Sequence, residues 1–510
     1  MRSAMSMVKL YREPLIYVTI YITIVGATAL FRHWLFHTYA YDLGIFVQAL
    51  STTARGEGLL YETPDSQIAT SYLGVHFSPI LIALVPLVLA FPPAETLLLF
   101  QTIMLALPAY FIYADTLKTT GYKLAARVLT IIYLANPALH GINLYDFHTH
   151  SMLLPLAYLF VKYARKLDLR KSIIVFFSML TVTEHSVIFG IGYLLYILLK
   201  CIERRKLFLK ELATVVASTA LAVAIAFSVI SYFGKPPLHP HNKVAFFAKL
   251  GNTWSEVLSN LFTPKLIVAL IDRFFLKLLY WLLLLFPLFL VSSGLKVIIV
   301  SKTRRVELAL PNFLFIAKEC VTFFLPWLAL TLISSYHPFY TLGWHFNAIA
   351  LGPVAALMPS LSRGFKSRYR VYGALLIAIV YSALGSPLSP VPYAFELRVR
   401  GPFMGAAYDF NPWYSDHREW EIARDIRHAL SMIPATASVL ASQNIFPHLA
   451  TRANVYVHLP TDPPDYIIFD ERFFTWWSLE TQHWVHKQIV SNSTYVQVYR
   501  TSTVVLLKRV

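Results

Sequence analysis

The sequence has little cysteine and little charge. Two cysteines, Cys201 and Cys320, occur in 510 residues, so the chain has no CxxC metal or redox motif and no disulfide framework. Charged residues make up 14% of the chain, where an ordinary soluble domain has about 25%. We find no internal repeat and no low-complexity tract. The shortage of charge excludes a soluble protein of average composition.

Long apolar runs take the place of the missing charge, since 57% of the residues are hydrophobic. A run of about 20 apolar residues is long enough to cross a bilayer as a helix, and in lipid only such a structure satisfies its own backbone polar groups. The sequence therefore predicts an all-α polytopic membrane domain with about eleven transmembrane helices. The predicted spans are 14–31, 95–117, 124–142, 150–164, 172–183, 185–200, 211–233, 266–291, 319–335, 344–361 and 371–388. The fourth and fifth are short, which predicts tilted or half-length helices.

Basic residues predict the orientation. Lys and Arg concentrate in the connections 162–171, 200–210, 296–318 and 363–370, with further basic residues near the N-terminus and at 118–127. Cytoplasmic loops carry this excess, so we expect a multi-pass cell-membrane protein with a cytoplasmic N-terminus and an extracytoplasmic C-terminus. The net charge of +17 is explained by topology and by contact with anionic membrane lipid, and nucleic acid is not an expected partner.

Two segments outside the spans are expected to be structured. The polytopic domain, 1–388, includes a long first outer loop, 32–93, whose apolar stretch 77–91 holds two prolines and predicts a helix on the membrane surface. The remaining segment, 389–510, alternates helical patterns at 417–433 and 477–490 with short strand-like runs such as DYIIFD and TVVLLKR. This alternation predicts a small extracytoplasmic α/β domain.

Three acids fall at or near the predicted outer ends of spans: Asp42, Asp146 and Glu184. Acids at membrane depth are costly unless they face a cavity or a partner, so each is a candidate catalytic residue. The alternative for each is a helix cap or an ion pair. Glu184 lies between two apolar half-helices, and a broken helix is tolerated in a membrane only where it lines protein or water.

All 17 histidines fall in segments that are predicted to be outer. His148 and His150 flank Thr149 beside Asp146, and this HxH pattern is compatible with a divalent metal such as Mg or Mn, although no metal ligand is assigned. Phosphate binding or structural hydrogen bonding is the other interpretation. The candidate phosphate-binding residues are Arg32, His76, His148, His150, Lys235, His239, His241, His337 and His345.

Several segments resemble a family of prokaryotic membrane proteins known as domain of unknown function 2079. The segments are YDLGIFVQAL, GVHFSPIL, NPALHGINLYDFHTHSMLLPLAYL, TEHSV, IPATASVLASQNIFPHLATRANVYVHLP and DYIIFD. That family is similar in layout to the GT-C glycosyltransferases. The second resemblance implies that Asp42 is the catalytic or metal-binding acid of the first loop and that Asp146 is the acid of the second. Asp42 departs from the pattern because it is not one of a pair of acids, and Thr183-Glu184-His185 stands where relatives often have Lys-Glu-Asp.

The resemblance implies transfer of a sugar from a polyprenyl-phosphate donor to a glycan or protein acceptor at the outer membrane face. A carboxylate, Asp42 by preference, would accept the proton of the incoming hydroxyl. Two alternatives stay open. A transporter of a small or lipid-linked substrate would use Glu184 in its broken helix, and a non-catalytic receptor or scaffold would need no active acid.

Overall fold

Apolar runs form helices in the computed structural model of the chain, and 69% of it is helical. The structure describes residues 2–235, 243–292, 295–300, 303–308, 311–362, 367–395, 405–410, 417–491 and 494–510, together with Phe365, Phe403 and Trp413. The helices up to the C-terminal region are α1 (Arg2–Trp34), α2 (Ile45–Arg55), α3 (Val85–Ala90), α4 (Pro93–Thr120), α5 (Lys123–Leu134), α6 (Pro137–Leu144), α7 (Leu153–Ala164), α8 (Leu169–Leu180), α9 (Val187–Arg204), α10 (Leu209–Phe233), α11 (Trp254–Asn260), α12 (Lys265–Ile271), α13 (Phe274–Ser292), α14 (Pro311–Ile333), α15 (Asn347–Leu361), α16 (Arg368–Gly385) and α17 (Val391–Ala394).

Five helices are long and apolar enough to cross a membrane, among the residues that the structure describes. They are residues 12–34 of α1, the whole of α4, residues 184–204 (which include α9), the whole of α10, and residues 274–291 of α13. Several apolar helices are thus confirmed, and each of the eleven predicted spans coincides with a helix or with two helices in succession. The number of crossings and the orientation of the termini stay predictions.

Two predicted spans are each divided into two helices, which corrects the prediction of continuous spans at 124–142 and 266–291. The first breaks before Pro137, where the Asn136 side chain accepts from the backbone N–H of Ala138 at 2.9 Å and caps α6. Proline removes a backbone donor and favours the first turn of a new helix. The second span breaks at Asp272–Arg273, where Arg273 has φ of +53°.

The predicted break at Glu184 is confirmed. Helix α8 ends at Leu180, and a 3-10 turn over Glu184–Ser186 leads into α9. The Thr183 hydroxyl accepts from the backbone N–H of His185 and caps this turn. The apolar stretch 77–91 forms a 3-10 turn over Pro79–Leu84 that continues into α3, a run of 12 residues rather than a full span.

The C-terminal region is a small mixed α/β unit, as the sequence predicts. Its strands are β3 (Val439–Ala441), β4 (Val455–Tyr456), β5 (Tyr466–Asp470), β6 (Tyr495–Arg500) and β7 (Val504–Arg509), in the order β4-β3-β5-β7-β6. Its helices are α18 (His417–Ser431), α19 (Phe446–Leu449) and α20 (Leu479–Ser491). Strands β3, β4 and β5 are parallel, and β7 is antiparallel to β5 and β6. A hairpin of β1 (Leu295–Val300) and β2 (Thr303–Leu308) lies in a connection for which the sequence predicted no strands.

The two faces of this sheet belong to different cores, because side chains alternate along a strand. Val439 and Ile468 join the core that is continuous with the helical bundle, and Ile467 joins a second core with Val485 of α20. The carboxyl ends of β3 and β5 contact the bundle. Beyond β3, the carbonyl of Gln443 accepts from the N–H of Ala40 at 2.9 Å. The unit is therefore packed on the segment that follows α1.

Candidate functional site

Asp42 lies in a π-helix over Ala40–Gly44, directly after α1 and its connecting turn. The N–H of Gly44 donates to the carbonyl of Tyr39 at 3.0 Å, five residues back. Short π-helical segments are rare in proteins, and those that do occur are often found at functional sites. The carboxylate oxygen Oδ1 of Asp42 accepts from the Tyr145 hydroxyl at 2.9 Å and lies 3.3 Å from Nε2 of His148. Both contacts come from the segment after α6.

Asp146 forms a buried ion pair with Arg32. Nη1 of Arg32 contacts Oδ1 of Asp146 and the carbonyl of Leu144, and Oδ2 of Asp146 accepts from the N–H of Tyr39 at 2.8 Å. The two side chains are 2% and 0% exposed. Asp146 has φ of +114°, a backbone conformation that side chains rarely adopt. This turn directs its carboxylate to Arg32 and carries the chain onward to the two histidines that follow.

A cavity of about 260 Å³ opens beside Asp42 at the end of the bundle that carries the C-terminal α/β unit. Its walls are aromatic and polar, and among the described residues that line it none is Lys or Arg. The lining residues are Tyr41, Asp42, Ile45, Phe46, Asp65, Tyr72, Val75, His76, Ser78, Tyr145, His148, Thr149, His150, Thr183, His185, Phe246, Tyr336, Trp344, His345 and Phe346.

Five of the lining residues are histidines from four separate segments, and they form one cluster. The rings of His148 and His345 stack with centroids 3.8 Å apart and planes 8° from parallel. His150 lies 4.6 Å from the His345 ring, and its Nε2 is 3.2 Å from Nδ1 of His185. His76 completes the cluster, 6.0 Å from the His185 ring. The cluster therefore brings five imidazole rings together on the wall of the cavity.

Three ring nitrogens of this cluster have no hydrogen-bond partner within the described part of the chain. They are Nδ1 of His148, His150 and His345, and all three residues are buried. A buried polar atom without a partner is costly, and buried polar atoms in proteins are normally satisfied. The three residues line the cavity through other atoms, since the Nδ1 atoms themselves have almost no accessible surface.

Glu184 holds His76 at the edge of the cavity. One carboxylate oxygen lies 2.8 Å from Nδ1 of His76, and the other accepts from the N–H of Phe77 at 3.0 Å. The neighbouring residues Thr183 and His185 line the cavity, whereas the carboxylate of Glu184 lies behind them. The broken helix predicted from the sequence therefore delivers histidine and threonine to the cavity.

The three predicted acids thus occupy different positions. Asp42 lines the cavity, and Asp146 and Glu184 lie behind it with Arg32 and His76 as their partners. For each acid the sequence left an ion pair open as the alternative to catalysis. Asp146 and Glu184 have the contacts that this alternative predicts.

Of the predicted phosphate-binding residues, His76, His148, His150 and His345 line the cavity. Arg32 is buried with Asp146 instead. Lys235 is exposed, and its ammonium group donates to the carbonyl of Ser66. His337 does not line the cavity but contacts the ring of Trp344, which does, at 5.6 Å. His239 and His241 lie outside the described residues.

The C-terminal α/β unit closes one side of the site. The Tyr41 hydroxyl contacts Nε2 of His458, and burial lowers the pKa of this histidine. Phe446 of α19 packs against Gly44, where a Cβ atom would lie 2.6 Å from the phenylalanine ring. Only glycine leaves room for this contact at the end of the π-helix. The unit therefore holds the segment that presents Asp42.

Sequence reasoning did not assign Tyr145, His185, Asp65 or Trp344 to the site, although all four line the cavity. Their neighbours were singled out: Asp146 follows Tyr145, Glu184 precedes His185, and His345 follows Trp344. The sequence feature that indicates Tyr145 and His185 as site residues is that each is adjacent in the chain to a predicted outer acid. Within the described residues, no group of three or more His, Cys, Asp or Glu side chains is arranged to hold a metal ion.

A family model described as a predicted membrane protein, DUF2079, matches residues 32–302 and 306–506. No curated protein matches the chain.

Proposed function

Since the chain belongs to the DUF2079 family of predicted membrane proteins, a description that names no activity, we propose a function from the site itself. The protein is a membrane glycosyltransferase that moves a sugar from a polyprenyl-phosphate donor to a hydroxyl acceptor. The observation that carries this proposal is the position of Asp42, a carboxylate on the wall of a cavity that is also lined by five histidines and a second acid, Asp65. A divalent metal is not part of the proposal.

Asp42 is the proposed general base. Among the described residues, Tyr145 and His148 both contact Oδ1, which leaves Oδ2 as the atom that takes a proton. As that oxygen removes the proton of the acceptor hydroxyl, the hydroxyl oxygen forms a bond with the anomeric carbon of the sugar. The bond between this carbon and the phosphate oxygen breaks, and its electron pair leaves with the polyprenyl phosphate.

The histidines are the proposed phosphate-binding groups. The departing phosphate gains negative charge, and N–H donors that already point at its position stabilise that charge. The imidazole rings of His148, His150 and His345, which line the cavity, are suited to this role. Because no Lys or Arg lines the described walls of the cavity, a histidine must carry any positive charge that binds the phosphate.

A lipid-linked donor also fits the surface next to the cavity. His76 and Ser78 line it, and the chain then enters the 3-10 turn and α3, which expose Ile82, Leu89 and Phe91. An exposed apolar helix beside a polar cavity provides a place for the polyprenyl chain while the phosphate is bound. The basic connections support a reaction at the outer face of the membrane.

The test is sugar transfer by the purified full-length protein in vesicles that contain a radiolabelled polyprenyl-phosphate hexose. Asp42→Asn should reduce the transfer rate by about 10²- to 10⁴-fold, the usual contribution of a general base, and should leave polyprenyl-phosphate binding within a few-fold. Asp462→Asn, at an exposed aspartate of the C-terminal unit, is the matched control and should keep full activity.

Two results would overturn the proposal. One is wild-type protein that neither binds polyprenyl phosphate nor transfers sugar, and the other is Asp42→Asn with wild-type rates. The transporter alternative predicts instead that uptake depends on Glu184. The contacts of Glu184 with His76 and the backbone of Phe77 support a positioning role for this carboxylate.

A further inference from the structure

Helix α18 carries a basic and aromatic groove on its exposed side. His417, Trp420, Glu421, Arg424 and Arg427 recur at intervals of three or four residues, so they share one face of the helix. The groove they line has a volume of about 480 Å³ and is open to the surroundings. We call it the α18 groove. It is separate from the cavity beside Asp42, with which it shares no lining residue.

Helix α1 exposes an apolar stripe below this groove. Ile20, Ile24 and Trp34 are 51%, 57% and 45% exposed, and they lie on one face of the helix. Helix α1 is one of the candidate spans. The exposed part of this apolar face is a surface for lipid acyl chains.

The α18 groove lies at the end of that stripe. Trp420 packs against Phe31 of α1 with ring centroids 5.2 Å apart. The guanidinium of Arg427 donates to the carbonyl of Trp34, the last residue of α1. These two contacts hold the groove at the level where the apolar span ends, which is the level of the lipid headgroups in a bilayer.

The charges of the groove match an anionic headgroup. Arg424, Arg427 and His417 face one acid, Glu421. Arg424 has no hydrogen-bond or ion-pair partner among the described residues, so its guanidinium is available to a ligand. Tryptophan is enriched at the membrane–water interface, and arginine binds phosphate through paired N–H donors.

We propose that the α18 groove binds the phosphate of an anionic phospholipid whose acyl chains lie along the exposed stripe of α1. The bound lipid spans the contact between α1 and α18. It therefore holds the C-terminal α/β unit against the bundle at a second place, in addition to the contacts around Gly44. The site does not depend on any catalytic activity of the cavity.

The experiment measures lipid binding by the delipidated full-length protein in detergent micelles. Phosphatidylglycerol and phosphatidylcholine with identical acyl chains are titrated separately, and bound lipid is counted by native mass spectrometry. Wild-type protein should retain phosphatidylglycerol preferentially. One basic residue contributes about 1 kcal/mol at an anionic surface, so Arg424→Gln should weaken phosphatidylglycerol binding roughly fivefold, and Arg424→Gln with Arg427→Gln roughly thirtyfold.

Arg424→Gln is the decisive variant, because Arg427 also bonds to α1 and its loss could loosen the fold. Lys508→Gln is the control. Lys508 is an exposed residue of β7 that lies opposite Tyr466, at the start of β5, and the end of β5 that meets the bundle is the other one. This variant should bind phosphatidylglycerol as the wild type does. Equal retention of the two lipids by the wild type would overturn the proposal. Unchanged retention in Arg424→Gln, or full displacement of the lipid by inorganic phosphate, would do the same.

Discussion

Replacing Asp146 by asparagine tests whether this acid holds the fold or acts on a substrate. Asparagine has nearly the same shape and tolerates positive φ better than most residues, so the turn at φ +114° is preserved. What changes is the charge beside Arg32, which is 2% exposed. The guanidinium would then keep the carbonyl of Leu144 as an acceptor, and Asp409 would be the remaining acid whose charge acts on it.

Removal of one partner from a buried ion pair costs about 3–5 kcal/mol, because the remaining charge stays out of water. We expect Asp146→Asn to lower the free energy of unfolding by about 3 kcal/mol, the lower end of this range, because the charge of Asp409 still acts on Arg32. The amide oxygen is still able to accept from the N–H of Tyr39, so this hydrogen bond adds little to the loss. In the double variant Arg32→Met with Asp146→Asn neither charge of the buried pair is left, and the expected loss is about 1–2 kcal/mol, mainly the hydrogen bond to Leu144.

Unfolding by sodium dodecyl sulfate in mixed micelles, followed by circular dichroism, measures these differences. The reasoning requires the double variant to be more stable than Asp146→Asn alone, which is a coupling of at least about 1–2 kcal/mol between the two sites. It is refuted if Asp146→Asn unfolds within 1 kcal/mol of the wild type, or if the two substitutions are additive. Full stability combined with lost transfer activity would return Asp146 to the catalytic role that the sequence suggested.

Three further predictions concern packing and pH. Gly141→Ala should destabilise the protein by about 1–3 kcal/mol or more, since the new Cβ would lie 2.0 Å from the carbonyl oxygen of Leu342, and thermal unfolding measures the loss. Burial and the charge of Asp65 raise the pKa of Glu62 well above 4.5, so the wild-type protein loses stability as the pH rises above 4.5. Glu62→Gln should therefore raise the midpoint of thermal unfolding at pH 8 but not at pH 4. A hydrogen bond from His37 and the charge of Arg472 lower the pKa of Glu419 to about 2. Glu419→Gln should therefore lower the midpoint of thermal unfolding at pH 7, and the difference between variant and wild type should disappear as the pH falls from 4.5 towards 2.

Each of these has a control and a contrary result. Gly373→Ala adds a Cβ where nothing lies within 4 Å and should be neutral or stabilising by up to about 1 kcal/mol; equal losses at the two glycines would contradict the packing argument. For Glu62, the control is Glu57→Gln at an exposed glutamate, which should not raise the unfolding midpoint at pH 8. If Glu62→Gln raised the midpoint equally at pH 4 and pH 8, the cause would be something other than ionisation. For Glu419, a difference from the wild type that persists at pH 2 would mean that its charge is not responsible.

The sequence predicted the elements of this fold well, because the elements depend on local patterns. Apolar runs located the helices, and short strand-like runs located β5 and β7 in the C-terminal unit. The break at Glu184 was also predictable, since a charged residue divides two short apolar runs. The break before Pro137 was missed although proline there favours a new helix, because the apolar run continues through it.

The site was predicted only in part, because its geometry depends on residues far apart in the chain. Asp146 and Arg32 are separated by 114 positions, and no local pattern indicates that they form a pair. The cluster was suggested by the number of histidines on one predicted side, but not by the order of their rings. The stacking of His148 on His345 depends on how α6, α7 and α15 pack, which hydrophobic patterns do not specify.

The contact of Phe446 with Gly44 has a consequence for how this family can evolve. A larger residue at position 44 displaces the phenylalanine ring, and a smaller residue at position 446 leaves the π-helix without its support. Neither position can change alone without disturbing this contact, so related sequences should exchange the two residues together. Recombination that joins the helical bundle of one relative to the α/β unit of another should then succeed only when both parents carry the same pair.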